Sequence, residues 1–426
     1  MLMVFLLALA LYALLSMGPS SPYNAHVHLA DAWLRGLVTP EALPAHLEHA
    51  PGPTGAIIPY GPGPSLLLLP FVAVWGLATD QSAFCMALGA LNVALMWSLA
   101  GRLGATGGLR AALTILFGLG SPHLFTAVQS GNTWPMMHIV TIFGLLVALR
   151  AVFSPPTLAS GLTAGLGLGL AYLTRQPAAL AIPFIAAMSL FRGPEGVPLE
   201  RQSRAERTPL DSRFRGNDEG EGGNDGMLSR AALWLSATLK AVPWPHAGAM
   251  ALGLGICVGL ALAYNWARMG NPLDTGYERV IKVITPPHMI PHGVFSLEYL
   301  GRNLQAYFLS GPERIAAFPY FRPSQFQMSM LLVFPALLLI PLADWRKRVN
   351  WLALGAIASM MAVYLLYYWT GATQFGMRYS MDWLPLAMLL IASAGQGKSP
   401  LVWVAAVLGI AVEAWGLVMW RVLGWA

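Results

Sequence analysis

Long apolar runs separated by short polar turns dominate the chain. Runs such as LLVFPALLLIPLA (331 to 343) and LVWVAAVLGIAVEAWGLVM (401 to 419) are apolar on every face, a pattern that belongs to helices packed in protein or lipid rather than to helices with one wet side. A helix of about 20 apolar residues spans the roughly 30 Å of bilayer hydrocarbon. Runs of this kind predict eleven crossings, near 1–17, 82–101, 111–127, 137–152, 157–174, 177–191, 247–266, 329–344, 350–369, 380–396 and 400–424. A spanning β-barrel would show short alternating segments instead, so the expected fold class is all-α and polytopic. One more apolar stretch, PSLLLLPFVAVWGLA (64 to 78), is short and broken by Pro70; it is expected to enter the membrane and return without crossing. The first run lacks a charged leader and a small-residue cleavage site, so it reads as an uncleaved span.

Composition sharpens this picture. Of 426 residues, 56% are hydrophobic and 10% charged, against roughly 25% charged in soluble domains, which excludes a water-soluble globule. The 25 basic and 19 acidic residues give a net charge of +6, an excess that in a membrane protein reports topology rather than nucleic-acid binding. With the N-terminus inside and 64–78 not crossing, fifteen of the 25 basic residues fall on the inner side; the opposite parity would put the WRKR cluster (345 to 348) outside. Two long loops, 18–63 and 267–328, then face outward and are the expected seat of active machinery. Cys85 and Cys257 are the two cysteines, both in apolar runs, so neither a disulfide framework nor a cysteine metal site is supported.

The inner loop is of another kind. Residues 193–227 are charged, Gly-rich and almost free of large apolar side chains, the composition of a disordered segment. TPLDSRFRGNDEGEGGND within it looks like a translated intergenic repeat, to which no chemistry is assigned. The organisation is thus an N-terminal module (1–202) with the first outer loop, an inner insert (203–227), the end of the module with the second outer loop (228–328), and C-terminal spans (329–426).

Several loop residues carry candidate chemistry. In SPYNAHVHLADAWLRG (21 to 36), a helix starting near Tyr23 aligns Asn24, His28, Asp31 and Arg35 at spacings of four, three and four. That stripe could present a general base to a hydroxyl acceptor; it also reads as a solvated face with an Asp31–Arg35 pair contributing well under about 1 kcal/mol. His26, His28, His46 and His49 share the loop, yet zinc needs convergent ligands that this spacing does not provide. No metal site is assigned, and a requirement for a divalent metal stays open. The Pro-Gly punctuation of TGAIIPYGPGPS (54 to 65), which holds Tyr60, forces a rigid turn, either pure architecture or the wall of a cleft.

Arginines mark the outer side. Arg175 separates two apolar stretches, where a guanidinium either snorkels or binds a lipid phosphate. YNWARMGNPLDTGYE (264 to 278) sets Arg268, Asp274 and Glu278 beyond a span, and Arg279, Lys282, Arg302, Arg314 and Arg322 follow. YYWTGATQFGMRYSMDWLPL (367 to 386) places Gln374, Arg378 and Asp382 at an outer turn. There Arg378 and Asp382 form an i,i+4 ion pair, or Arg378 holds a phosphate that Asp382 helps to orient.

These pieces together resemble a bacterial GT-C glycosyltransferase, in the branch similar to protein O-mannosyltransferases that use dolichyl-phosphate-mannose. The resemblance rests on the apolar first span, LADAWLRG after it, the Pro-Gly turn before LLLLPF, SGNTW (130 to 134), GLAYLTRQP (169 to 177), YNWARMGNPLDTGY (264 to 277) and QFGMRYSMDWLP (374 to 385). It implies a GT-C fold in a bacterial inner membrane, and transfer of a sugar from a polyprenyl-phosphate donor to a lipid, glycan or protein acceptor at the extracytoplasmic face. Such enzymes carry an acidic base just after the first span; here that zone reads Pro22-Tyr23-Asn24. The expected catalytic group is therefore Asp31, with His28 and Asn24 beside it, and Arg175, Arg268 and Arg378 on the donor phosphate. Asp274, Gln374, Asp382 and Tyr60 are expected in support. The competing readings are a transporter or lipid-handling protein without transfer chemistry, and a membrane scaffold. Removal of residues 203–226 is expected to leave expression and activity at the parental level, checked by membrane yield and by the activity assay applied below.

Overall fold

The computed structural model describes residues 1–16, 18, 20–129, 131–190, 242–318 and 320–424; the 203–227 insert and Ser130 of the SGNTW stretch lie outside them. The chain is mainly helical, a multi-pass membrane protein. Among the described residues five helices are long and apolar enough to cross a bilayer: α4 (Gln81–Arg102), α7 (Thr133–Val152), α10 (Trp244–Met269), α12 (Arg348–Leu366) and α14 (Ser399–Val422). Shorter apolar helices stand with them, among them α1 (Leu2–Leu15), α3 (Gly63–Trp75), α5 (Gly107–Leu119), α8 (Leu158–Thr174) and α9 (Ile182–Leu190). Of the other helices, α2 (Ala25–Leu34) and α11 (Tyr277–Ile284) lie outside the apolar runs, α6 (His123–Val128) follows α5, and α13 (Leu384–Ala394) is wholly buried apart from one residue.

Gly and Pro explain where continuous runs become broken ones. The 111–127 run splits into α5 and α6 around Gly120-Ser121-Pro122. The 329–344 run becomes a short helix, Met330–Val333, and a 3-10 segment, Pro335–Leu342, because Pro335 and Pro341 deny the backbone donors an α-helix needs. Elsewhere the ends are capped: Asp80 accepts from Ser82 N and Ala83 N at the start of α4, and Thr157 with Ser160 forms a capping box on α8. Helix α3 does not cross. Its start abuts Leu173 and Thr174 at the end of α8, while just beyond its end α4 begins at Gln81, whose N–H donates to Ser20 Oγ in the segment after α1. It thus lies across the helix ends, with Phe71, Val74 and Trp75 exposed. Buried His26 of α2 bonds to Ser65 Oγ of α3 at 3.1 Å; burial pushes its imidazole down to about 3, so this tie is made by a neutral ring.

The most extensive helix pairing joins α8 and α10. Its cause is a glycine face: a Cβ at Gly161 would strike the backbone of His246, one at Gly165 the backbone of Met250, and one at Gly169 the side chain of Cys257. On the other side of α8, a Cβ on Gly167 would come 2.6 Å from the Gly144 carbonyl of α7. With no solvent to drive apolar surfaces together inside lipid, such backbone-to-backbone approach supplies the packing. A Gly165→Val chain is expected to be destabilised by about 1–3 kcal/mol and to melt earlier in detergent by fluorescence-detected size exclusion. Gly259→Val, whose Cβ would meet nothing within 4 Å, is expected to melt like the parent.

Candidate functional site

Helices α8, α10 and α12 end, and α7 and α13 begin, at one end of the bundle. The Pro-Gly turn closes that end against α8, since Cβ atoms on Gly61 or Gly63 would collide with Leu173 and Thr174. Between these elements lies a cavity of about 530 Å³. Arg175, Arg268 and Arg378 all line it, as does Tyr60 of the turn. Much of the remaining wall is aromatic or apolar, with Trp134, Tyr277, Tyr367, Tyr379, Met137 and Ile281 among its residues.

Each arginine is held differently. Arg175 follows the last turn of α8 in extended conformation, and its Nε donates to Asp382 Oδ2 at 2.5 Å. The Asp382 carboxylate is fully buried; it also takes a bond from His138 Nδ1 at 2.7 Å and one from the Tyr364 hydroxyl. Arg268 donates to the Thr275 carbonyl and to Asn265 Oδ1 at 3.1 Å, with its guanidinium 4.6 Å from the Tyr264 ring centre. Arg378 donates to Ala372 O at 2.8 Å and lies between the Trp134 and Tyr379 rings, at 5.5 and 5.4 Å. Arg268 and Arg378 each bury an Nε–H that has no acceptor among the described residues. Unsatisfied buried donors of this kind call for an anionic or polar ligand.

Among the lining residues one is acidic, Glu48. Its Oε2 accepts from the Tyr60 hydroxyl and from Trp134 Nε1 at 3.4 Å. Burial, with the neighbouring Glu48 carboxylate, holds the Tyr60 phenol well above its ordinary range, so Tyr60 serves as a donor. The hairpin Ala50–Gly52/Gly55–Ile57 explains the meeting: Ala50 pairs with Ile57, and two residues further along that register Glu48 falls beside Pro59 and Tyr60.

Other expected site residues stand elsewhere. Asn24, His28 and Asp31 share one side of α2, but none lines the cavity. Asp31 pairs with Arg35 at 3.0 Å on the surface, because the rest of α2 carries Val27, Leu29, Ala30 and Ala32 into the core. His28 is half-buried, and burial lowers its imidazole against the raising effect of Asp31. The expected Arg378–Asp382 pair does not form: residues Arg378–Trp383 make a 3-10 turn, where about 3.0 residues per turn send i and i+4 to different sides. Asp274 accepts from Gly276 N at 2.8 Å and shapes the turn that offers the Thr275 carbonyl to Arg268. Gln374 accepts from Arg378 N at 3.0 Å. Among the described residues no group of three or more His, Cys, Asp or Glu is placed to hold a metal ion. Glu48 has no sequence signal of its own; it is one of three acids in the 18–63 loop, and the hairpin register is what selects it.

No family model and no curated protein matches the chain. Among solved structures it is similar to the archaeal oligosaccharyltransferase AglB from Archaeoglobus fulgidus in complex with an inhibitory peptide and a dolichol-phosphate, with a TM-score of 0.47 and 11% identity over 97% of this chain and 55% of that one. It is also similar to the Archaeoglobus fulgidus oligosaccharyltransferase in the apo form, with a TM-score of 0.44 and 14% identity over 97% and 56% of the two chains. The chain spans about half the length of these structures.

Loss of one partner from a buried ion pair strands the other charge, at a cost of about 3–5 kcal/mol. Asp382→Ala is expected to destabilise the protein by that amount, seen as a large fall in the detergent melting temperature. Asp31→Ala, which breaks a surface pair, is expected to cost under about 1 kcal/mol.

Proposed function

We propose that the protein is a membrane glycosyltransferase of GT-C type, transferring a hexose from a polyprenyl-phosphate donor to an acceptor at the extracytoplasmic face of a bacterial inner membrane, with its N-terminus in the cytoplasm. The observation that carries this reading is the single cavity holding three arginines and one carboxylate at the ends of membrane helices. Arginines bind phosphate with forked donors, and the aromatic and apolar wall suits a sugar joined to a lipid. The sidedness is supported by the opposite end of the bundle, where Arg102, Arg110, Arg150, Arg346, Lys347, Arg348 and Lys398 gather in helix ends and the turns between them, as basic residues do on the cytoplasmic side. The branch resembling dolichyl-phosphate-mannose-dependent mannosyltransferases is the proposed relative.

In this mechanism Glu48, rather than Asp31, takes the proton of an acceptor hydroxyl. The freed oxygen attacks the anomeric carbon from the side opposite the phosphate. The bond from that carbon to the phosphate oxygen breaks, and its electron pair leaves with the phosphate. Arg175, Arg268 and Arg378 stabilise the charge that grows there, an effect strongest where water is scarce. Asp382 holds Arg175, Gln374 and Asp274 support the other two arginines, and Tyr60 with Trp134 orients Glu48.

Native mass spectrometry of the purified protein tests the donor. It is expected to find a retained polyprenyl phosphate or its sugar conjugate, lost in Arg175→Ala and Arg378→Ala. Glu48→Gln is expected to keep the donor and to lose about 10²–10⁴-fold in sugar release, whereas Asp31→Asn turns over at the parental rate. Bulk phospholipid alone, equal in all variants, would overturn the donor reading; intact donor crossing vesicles without sugar release would make the protein a transporter.

A further inference from the structure

The hairpin between Glu313 and Arg322 takes no part in this chemistry. Glu313 pairs with Arg322 and Arg314 with Phe321, the Glu313 and Arg322 side chains bridge at 2.8 Å, and Ile315 N bonds to Tyr320 O across the tip at 2.9 Å. Each strand is two residues long, far too short to hold itself in water. Yet the tip shows apolar surface: Phe318 is 84% exposed, Tyr320 55% and Phe321 49%. A fold with a large buried core has no folding reason to leave three neighbouring rings outside.

The root of the hairpin says what covers them. Ser329 N donates to Ser310 O at 2.7 Å and Ser329 Oγ to Phe308 O at 2.8 Å, so the two legs are clamped together. Ser329 also caps the helix Met330–Val333, the first turn of the apolar run that descends from the cavity end of the bundle. Leu309 at the root is 78% exposed, and Leu332 and Leu338 continue an exposed apolar surface down that run. The hairpin is therefore rooted where that apolar run begins. Aromatic side chains with an arginine, Arg314, exposed beside them are the composition of a membrane–water interface, where rings sit among headgroups and guanidinium groups reach phosphates.

We propose that the paired strands Glu313–Arg314 and Phe321–Arg322 carry an interfacial anchor, with Phe318, Tyr320 and Phe321 set into the lipid leaflet at the cavity end and Arg314 at its phosphate level. The anchor is linked to the site. The returning leg gives the Gln325 and Phe326 carbonyls to Gln374, and Gln374 Oε1 accepts from Arg378 N. Embedding the tip thus fixes the height of the cavity mouth relative to the lipid surface. This inference rests on the membrane fold and not on sugar transfer, and it stands if the donor reading fails.

Spin labelling tests it on the full chain, in nanodiscs of phosphatidylethanolamine and phosphatidylglycerol. The native cysteines, Cys85 and Cys257, are both buried, and the label they take up in the parent chain is subtracted. Phe318→Cys and, as a second site should that variant fold poorly, Ala317→Cys carry the nitroxide. Relaxation by oxygen, which concentrates in lipid, is compared with relaxation by a water-soluble nickel chelate. The expected result is an oxygen-to-nickel ratio shifted toward that of a label at Leu260→Cys, on the exposed face of α10. A ratio equal to that at Glu41→Cys, whose side chain is 76% exposed, would overturn the proposal by placing the tip in water. Shielding from both reagents would also overturn it, by placing the tip against protein.

Discussion

The buried carboxylate of Asp382 is the point on which the cavity depends. It receives Arg175 from the end of α8, His138 from α7 and Tyr364 from α12, and it is itself carried on the 3-10 turn before α13. Four segments, two of them more than 200 residues from Asp382, meet on one pair of oxygens. Desolvating a carboxylate and a guanidinium is expensive, and a well-packed apolar cluster would often be as stable. What the charges add is direction. Each of the three donors has a fixed line of approach, so the helix ends are set against one another in a single arrangement and the Arg175 guanidinium is held at the cavity wall.

Around that centre the aromatic wall is built in layers. Tyr379 stacks on Tyr364 with ring centres 5.1 Å apart, and the Arg175 and Arg378 guanidinium groups each lie 5.4 Å from the Tyr379 ring. Trp134 then spans from Arg378 to Glu48, meeting one with its ring and the other with its N–H. Two like charges, Arg175 and Arg378, thus share one aromatic ring that is favourable to both, and a carboxylate is joined to the same assembly through one indole. The spacing of cations and carboxylate across the cavity follows from ring dimensions rather than from flexible side chains.

Much of this could be read from residue order alone, and the exceptions have physical causes. The helices α4, α7, α10, α12 and α14 are where unbroken apolar runs put them, and Arg175, Arg268 and Arg378 stand out as cations beside spans. Those three converge because alternating crossings bring their helix ends to the same side. The partner of Asp382 was not legible: helical spacing pairs it with Arg378, and a change of pitch to 3-10 gives it instead to Arg175, 207 residues away. Glu48 was not legible either. Its place follows from the register of a three-residue hairpin, while the more regular stripe holding Asp31 turns to the surface because the rest of α2 packs into the core.

The glycine face of α8 divides the cavity mechanically. With its glycines against the backbone of α10 on one side and of α7 on the other, α8 is packed closely to both neighbours, and the wall bearing Arg175 has little room to shift. The facing wall is joined differently. The strap through Tyr277 and Phe295 meets the end of α12 through the Tyr277–Tyr367 hydroxyl contact, the Phe295–Tyr367 bridge and the Tyr368 N–Val294 O bond, around a small buried cluster of Ile281, Tyr299 and Tyr368 that is separate from the main core. Any widening of the cavity would fall to that strap, and Arg175 would keep its place in the opposite wall.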